Sequence, residues 1–195
     1  ILHIAIDGEY AGHIVVSDKI KEDAADAVNA LKAEGVKRLV MLTGDKEEVA
    51  ADVAKTVGLA EYHAELLPGD KVSQVETILK ENAEGTMAFV GDGINDAPVL
   101  ARADVGIAMG GLGSDAAIEA ADVVLMDDKP SKIAVAIRQA RRTLRIAREN
   151  TWFAVGIKIA VLILAFFGLA TMWMAVFADV GVTVLAVLNA ARTLK

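Results

Sequence analysis

Residues 91–98 read Gly-Asp-Gly-Ile-Asn-Asp-Ala-Pro, which places two carboxylates, Asp92 and Asp96, four positions apart among glycines. Such a strand-to-helix turn can hold a magnesium ion and a lysine against a phosphoryl group, because Mg²⁺ favours one or two carboxylates together with phosphate and water. Asn95 and Asp96 fall on the turn after Asp92, where one side chain can reach phosphate and the other can orient a lysine. We therefore predict Asp92 as a magnesium ligand and Asp96 as a further cofactor-binding residue.

Two more segments supply the other groups that phosphoryl transfer requires, which are hydrogen-bond donors and a fixed cation around the phosphate oxygens. Thr43 offers a hydroxyl and Gly44 an unhindered amide in a Thr-Gly-Asp turn, and Lys71 offers a point charge. These segments could instead be tight turns with capping acids, but the ordered set of three favours a phosphoryl site. The predicted catalytic residues are Thr43, Gly44, Asp45, Lys71, Asn95 and Asp96.

Alternating strand and helix patterns predict the elements that must position these residues. The run 39–42 is continuously apolar and ends at Thr43, which is typical of a strand buried on both faces of a parallel sheet. Residues 86–90 predict a second strand that runs into the Gly-Asp-Gly turn. We expect an α/β fold with a doubly wound parallel sheet, whose ligands lie beyond the carboxyl ends of the strands. Further strands are predicted at 2–6, 12–16, 62–66, 105–109 and 123–126, and helices at 21–34, 46–57, 71–82, 97–103 and 114–121.

Charge divides the chain into two parts. Residues 1–137 hold 12 Lys and Arg against 25 Asp and Glu, whereas residues 138–195 hold 8 against 2. An acidic globule argues against nucleic acid as a partner, and a basic, apolar tail is typical of a membrane segment. The chain has no cysteine, so disulfides and thiolate metal sites are excluded within these residues.

The apolar residues concentrate in two spans, 151–170 and 173–191, behind a predicted amphipathic helix at 131–150 that carries five arginines. Each span is close to the ~20 residues that cross a bilayer core of about 30 Å. Basic residues flank both outer ends, so the positive-inside rule places residues 1–150 and the C-terminus in the cytoplasm. The alternative is a buried helical hairpin in a soluble protein, which the basic flanks do not favour.

Two charged residues, Lys158 and Asp179, lie inside the apolar spans. A charge near the middle of a membrane helix costs about 2.5–3.5 kcal/mol on insertion scales, so such residues are usually paired and functional. At about 1.5 Å rise per residue, an antiparallel hairpin places the two residues roughly 5 Å apart in depth. They could pair or face a shared cavity. Lys158 could instead extend its long side chain to the interface, whereas Asp179 could not.

Taken together, the phosphoryl motifs resemble the phosphorylation domain of P-type ATPases, a branch of the haloacid-dehalogenase fold. The segments that carry the resemblance are Thr43-Gly44-Asp45, Leu67-Pro68-Gly69-Asp70-Lys71, residues 91–98 and Gly106-Ile107-Ala108-Met109-Gly110. Residues 113–125 are similar to the heavy-metal-transporting subgroup. The resemblance implies that Asp92 binds magnesium and that Lys71 contacts phosphate. It also implies that Thr43 binds the phosphoryl oxygens and that Asn95 and Asp96 complete the pocket.

The same resemblance implies four parts. Residues 1–17 would be the last hairpin of a nucleotide-binding domain, and residues 18–130 the phosphorylation domain. Residues 131–150 would be an amphipathic connecting helix, and residues 151–195 a transmembrane helical hairpin. We expect a multi-pass protein of the plasma membrane.

One departure from the family changes the meaning of the motifs. The phosphorylated aspartate of P-type ATPases lies in Asp-Lys-Thr-Gly-Thr, and neither that string nor the membrane Cys-Pro-Cys motif occurs here. We therefore expect the C-terminal part of a pump, which neither forms a phosphoenzyme nor turns over ATP alone. Its expected partners are the lipid bilayer, the transported ion and the N-terminal part of the same pump, which would bind most of the ATP.

The apolar spans indicate which ion is transported. Gly156-Ile157-Lys158 and Ala178-Asp179-Val180-Gly181 resemble the zinc/cadmium/lead class, which uses this lysine and this aspartate near its ion site. A carboxylate suits a divalent ion better than Cu(I), which prefers thiolate and thioether ligands. Our hypothesis is that Asp179 ligates Zn²⁺, Cd²⁺ or Pb²⁺, and that Lys158 neutralises Asp179 when the site is empty.

Two other classes of protein remain as alternatives. A soluble phosphatase of the same fold would need a nucleophilic aspartate two residues before an acid or threonine, as Asp7 precedes Glu9, but Asp7-Gly8 is predicted to be a hairpin turn. A membrane-anchored module without catalytic activity is the second alternative. The three histidines, His3, His13 and His63, are interpreted as ordinary surface or edge residues because their spacing is not that of metal ligands.

Overall fold

The computed structural model describes residues 2–14, 19–82, 84–91, 94–110 and 115–194. The chain forms two compact units, Ile1–Ile133 and Ala134–Lys195. The described strands are β1 (Leu2–Ile6), β2 (Glu9–Ile14), β3 (Val40–Leu42), β4 (Glu61–His63), β5 (Ala88–Gly91), β6 (Val105–Met109) and β7 (Val123–Leu125). The described helices are α1 (Ala24–Ala33), α2 (Glu47–Val57), α3 (Pro68–Glu81), α4 (Ala97–Leu100), α5 (Asp115–Ala120), α6 (Ser131–Phe166) and α7 (Met172–Ala190), with short 3-10 turns at Ile94–Asp96 and Ala191–Leu194.

Strands β1 and β2 form an antiparallel hairpin, with a bulge after Ile4. Asp7 and Gly8 both have positive φ angles, 52° and 87°. A two-residue hairpin turn with positive φ at both residues has a backbone twist that matches the twist of the flanking strands. The predicted turn is confirmed, and Asp7 does not lie at the end of a parallel strand, where a phosphatase of this fold would need its nucleophile.

The remaining strands pair in parallel, as the alternation of strands and helices predicts. Strand β3 pairs with β4, and β6 lies between β5 and β7. Among the described strands, these pairs form two separate hydrogen-bonded sheets rather than one continuous sheet. The α/β class and the parallel pairing are confirmed. Val75 of α3 and Val99 and Leu100 of α4 are fully buried, and α4 packs against α3, β5 and β6.

Helix α3 starts three residues earlier than the sequence predicted. Pro68 occupies its first turn, where the fixed φ of proline suits a helix and its missing N–H is not needed. The backbone N–H of Leu67 donates to Oδ2 of Asp70 over 3.0 Å, which caps the start. Lys71 therefore lies at the fourth residue of α3, where the sequence predicted the first.

The connecting helix and the first apolar span form one helix, α6, of 36 residues. No proline or glycine occurs between Ser131 and Gly156, so nothing in that stretch breaks the helix. Gly168, with a φ of 71°, follows its end. The Thr171 hydroxyl oxygen caps α7 by accepting from the backbone N–H of Met174. Both helices are long and apolar enough to cross a membrane, by length and composition.

Candidate phosphoryl-transfer site

The Thr-Gly-Asp turn begins directly after β3, at the carboxyl end of that strand. The Thr43 hydroxyl donates to Oδ2 of Asp45 over 2.8 Å, and the Asp45 backbone N–H donates to Thr43 Oγ1 over 3.1 Å. These two bonds fix the position of the hydroxyl, and its single proton must turn from Asp45 before Thr43 can donate to another acceptor. Asp45 thus orients Thr43, while Gly44 and Asp45 themselves are exposed.

The loop that leads into α3 is hydrogen-bonded to this turn. The Leu66 backbone N–H donates to the Thr43 carbonyl over 3.0 Å, and the Glu65 N–H donates to the Asp45 carbonyl over 2.8 Å. A Cβ at Gly44 would lie 3.2 Å from the Leu66 carbonyl oxygen, so the loop approaches closely because this residue is glycine. The turn and the start of α3 therefore hold one another in place.

Lys71 and Asp96 join the helix to the Gly-Asp-Gly motif. Lys71 Nζ lies 3.0 Å from Asp96 Oδ1, and the two side chains are only 19% and 13% exposed. Asp96 precedes α4 and packs against the end of β5, where a Cβ at Gly91 would lie 2.8 Å from the Asp96 Cβ. A partly buried ion pair of this kind holds a lysine at a fixed point rather than leaving it free in solvent.

The structure thus brings the predicted residues together in two contacting pairs. Thr43 contacts Asp45, and Lys71 contacts Asp96, while the backbone of the loop before α3 connects the two pairs. Asn95 is exposed beside Asp96. Asp92 and Gly93 lie outside the described residues, so the magnesium ligand stays a prediction.

Sequence reasoning missed the role of Asp70. Its side chain caps α3 and so determines which helical position Lys71 occupies. The signal was present in the sequence as Leu-Pro-Gly-Asp, a proline at the first helical position followed by an acid in the first turn. The motif thus has a structural function that the family resemblance alone does not reveal.

An arginine and two glutamates stabilise the side of the unit formed by β4 and α3. Arg38 donates from Nε and Nη2 to the two carboxylate oxygens of Glu61, over 2.8 and 2.6 Å, and from Nη1 to Glu81 over 2.9 Å. These hydrogen bonds lower the pKa of Glu61 and raise that of Arg38. Tyr62 donates to Glu47 over 2.7 Å, and this bond raises the pKa of Tyr62.

Within the second unit, Lys158 and Asp179 meet across the helical hairpin. Lys158 Nζ lies 3.4 Å from Asp179 Oδ1. The similar depth of the two residues allowed either an ion pair or two side chains facing a shared cavity, and the structure shows the ion pair. Asn189 also acquires a partner, because its side-chain N–H donates to Oδ1 of Asn150 over 2.8 Å and Asn150 donates to the Ala186 carbonyl over 3.0 Å. These bonds hold α6 and α7 in register toward the end of the hairpin opposite its loop.

Known proteins match this chain over both of its units. A cadmium, zinc and cobalt-transporting ATPase of Bacillus subtilis (strain 168) is 60% identical over 196 residues, and a zinc-transporting ATPase of Synechocystis sp. is 58% identical over 195. Each alignment covers 100% of this chain and 28% or 27% of the relative. The chain therefore spans about a quarter of the length of these relatives. A crystal structure of a zinc-transporting PIB-type ATPase in the E2.Pi state, 42% identical, matches 97% of this chain and 30% of its own with a TM-score of 0.84.

A family model for haloacid dehalogenase-like hydrolases matches residues 2–104. That range contains the Thr-Gly-Asp turn, Lys71 and the Gly-Asp-Gly motif. It covers more than half of the chain and contains all the strands except β6 and β7. The chain belongs to the haloacid dehalogenase-like hydrolase family.

Proposed function

We propose that this chain works as the phosphorylation domain and the last membrane hairpin of an ATP-driven pump that exports zinc, cadmium or lead ions. The observation that carries the proposal is that one chain holds both a phosphoryl site and a charge pair in candidate membrane helices. Relatives whose names state zinc or cadmium transport match both parts at 58–60% identity.

The phosphoryl site would stabilise charge on a phosphoryl group during its transfer. Lys71, held by Asp96, would place its ammonium beside the phosphate oxygens. The Thr43 hydroxyl, which donates to Asp45 in the structure, would turn its proton to a phosphate oxygen and so become a second donor. Asp92 and Asp96, four positions apart in the sequence, would supply the oxygen donors that Mg²⁺ prefers, and magnesium would neutralise phosphate oxygens there. ATP would be bound mainly by the nucleotide-binding domain of the pump, outside these residues.

The aspartate that accepts the phosphoryl group would come from a part of the pump beyond this chain. Two features support this division. Among the described strands, β3 is bonded only to β4 and β5 only to β6, so each of β3 and β5 has an edge that can accept another strand. One face of the β1–β2 hairpin is apolar and uncovered, with Leu2 and Ile6 more than 60% exposed, and a two-stranded hairpin is marginally stable by itself. We expect the chain alone to be inactive.

The hairpin of α6 and α7 would carry part of the transport site. Asp179 would ligate the divalent ion, and Lys158 would hold the carboxylate when no ion is bound, which the 3.4 Å contact between them supports. The alternative of a lysine extended to the interface is less favoured, because the side chain points to Asp179. Both flanks of the hairpin are basic, so residues 1–150 and the C-terminus would lie in the cytoplasm. Export of ions from the cell would place the protein in the plasma membrane.

A chimera tests the proposal. This chain would replace the matching segment of the Bacillus subtilis relative, in cells that lack their own exporter. We expect the chimera to restore growth at toxic zinc and to export zinc from the cell. Lys71→Ala and Asp179→Ala should each abolish export, whereas Lys80→Ala, in the last turn of the same helix α3, should not. A chimera that reaches the membrane, folds and exports zinc equally well with Asp179→Ala would contradict the proposal.

A further inference from the structure

The hairpin of the first unit pairs two histidines that are ten residues apart in the sequence. His3 and His13 are direct partners in the register of β1 and β2, so their side chains lie on the same face. Their ring centroids are 6.1 Å apart, and both residues are exposed. The ten-residue spacing does not indicate that the two histidines are neighbours, because only the strand register brings their rings together.

The bulge adds a third ring to the same face. After Ile4, the register shifts so that Tyr10 becomes the partner of Ala5, which lies on the His3 side of β1. The Tyr10 hydroxyl lies 2.8 Å from His13 Nδ1, and its ring centroid lies 6.0 Å from that of His3. Nδ1 of His13 is thereby engaged by Tyr10, and Nε2 is the nitrogen available for a metal ion.

This geometry matches what one zinc ion requires of two imidazoles. At Zn–N distances of about 2.0–2.1 Å, two imidazoles on one tetrahedral ion have ring centres about 5–6 Å apart. The observed separation of 6.1 Å lies at the upper edge of that range, and both side chains are exposed, so they can rotate toward a shared ion. A ligating histidine also commonly donates its second ring N–H to an oxygen, which fixes the ring, and Tyr10 is placed to accept from Nδ1.

We propose that His3 and His13 form a surface binding site for one divalent metal ion of the class that prefers imidazole, with Zn²⁺ foremost. His13 would ligate through Nε2, and its Nδ1–H would donate to the Tyr10 oxygen. In the described residues no group of three or more His, Cys, Asp or Glu side chains could hold a metal. Water therefore completes the coordination, which makes this an open, exchangeable site rather than a closed structural one.

The site is distinct from the transport site, and it stands whether or not the chain works in a pump. The opposite face of the hairpin carries Leu2, Ile4 and Ile14, so a protein surface that covers the apolar face leaves the histidines accessible. A metal ion that joins β1 to β2 also stabilises the folded hairpin by its binding free energy. The consequence is a hairpin whose order depends on the zinc concentration in the solution around this unit.

The test uses the full chain in detergent, in an Asp179→Ala background that removes the proposed transport ligand. The chain has three histidines, so imidazole ¹⁵N resonances can be assigned by single substitutions. On titration with ZnCl₂ we expect the His3 and His13 resonances to shift together with one saturating curve and the His63 resonances to stay unchanged. Hydrogen exchange of the β1 and β2 amides should slow in parallel.

Variants make the result decisive. His3→Gln and His13→Gln should each abolish the saturating shift, and His63→Gln, the matched control, should leave it intact. Tyr10→Phe keeps both ligands and the strand, and it should weaken zinc binding about tenfold by removing the partner of Nδ1. Loss of the His3 and His13 shifts in His63→Gln would overturn the proposal. So would an unchanged saturating shift of the remaining hairpin histidine in His3→Gln or in His13→Gln. So would the absence of any saturating shift in the unsubstituted hairpin.

Discussion

The Lys71–Asp96 pair makes a quantitative prediction about local stability. Lys71→Met keeps most of the apolar stem but leaves the Asp96 carboxylate, 13% exposed, without its cation. Breaking a fully buried ion pair costs about 3–5 kcal/mol, whereas an exposed pair contributes at most about 1 kcal/mol. With side chains 19% and 13% exposed, the pair lies between these limits, at about 1–3 kcal/mol.

Hydrogen exchange of the full chain, followed peptide by peptide, measures the loss of local stability in the segments around the Lys71–Asp96 pair. A loss of about 1–3 kcal/mol speeds exchange through local opening roughly 5- to 150-fold, and we expect the change in peptides that cover β5 and α4. The β1–β2 hairpin should not respond. Adding Asp96→Asn to Lys71→Met removes the unpaired charge and should recover part of the loss. Unchanged exchange in β5 and α4, or an equal effect from Lys80→Met, would refute the reasoning.

Three further predictions follow from single contacts. Arg38 lowers the pKa of Glu61 in the folded state, so the stabilisation is present above the unfolded pKa of about 4.3 and disappears as the pH falls through the lower folded value. The melting temperatures of the unsubstituted chain and Glu61→Gln should therefore converge in acid. Gly91→Ala places a Cβ 2.8 Å from that of Asp96, and the overpacking should cost about 1–3 kcal/mol in thermal unfolding. Asn189→Ala removes a hydrogen bond between α6 and α7, and should destabilise the hairpin in detergent unfolding by about 0.6–2 kcal/mol.

Local patterns predicted most of the parallel sheet and the positions of the phosphoryl motifs. Strand β6 has the predicted bounds, because an unbroken apolar run between turn residues leaves little freedom. The rise of a helix also predicted that Lys158 and Asp179 lie at similar depth, but it left open whether they pair, and the contact between them is known only from the structure.

The features that the sequence did not predict depend on contacts between segments. The early start of α3 depends on the cap from Asp70, and the single helix α6 depends on continuous backbone bonding through a change from polar to apolar residues. The pairing of His3 with His13 depends on strand register, and the place of Tyr10 depends on a bulge. The pattern of residue types along the chain does not directly reveal the register of a strand pair or the position of a bulge.

Phosphoenzyme formation tests most directly whether this chain completes a phosphoryl site whose aspartate lies elsewhere. Acid-stable labelling from radioactive ATP would be measured for the chain alone and for the chimera with the Bacillus subtilis relative. We predict a labelled chimera, loss of label when Lys71 is replaced by alanine, and no label on the chain alone. Acid-stable label on the chain alone, or full labelling of the Lys71→Ala chimera, would contradict the proposed role of this site.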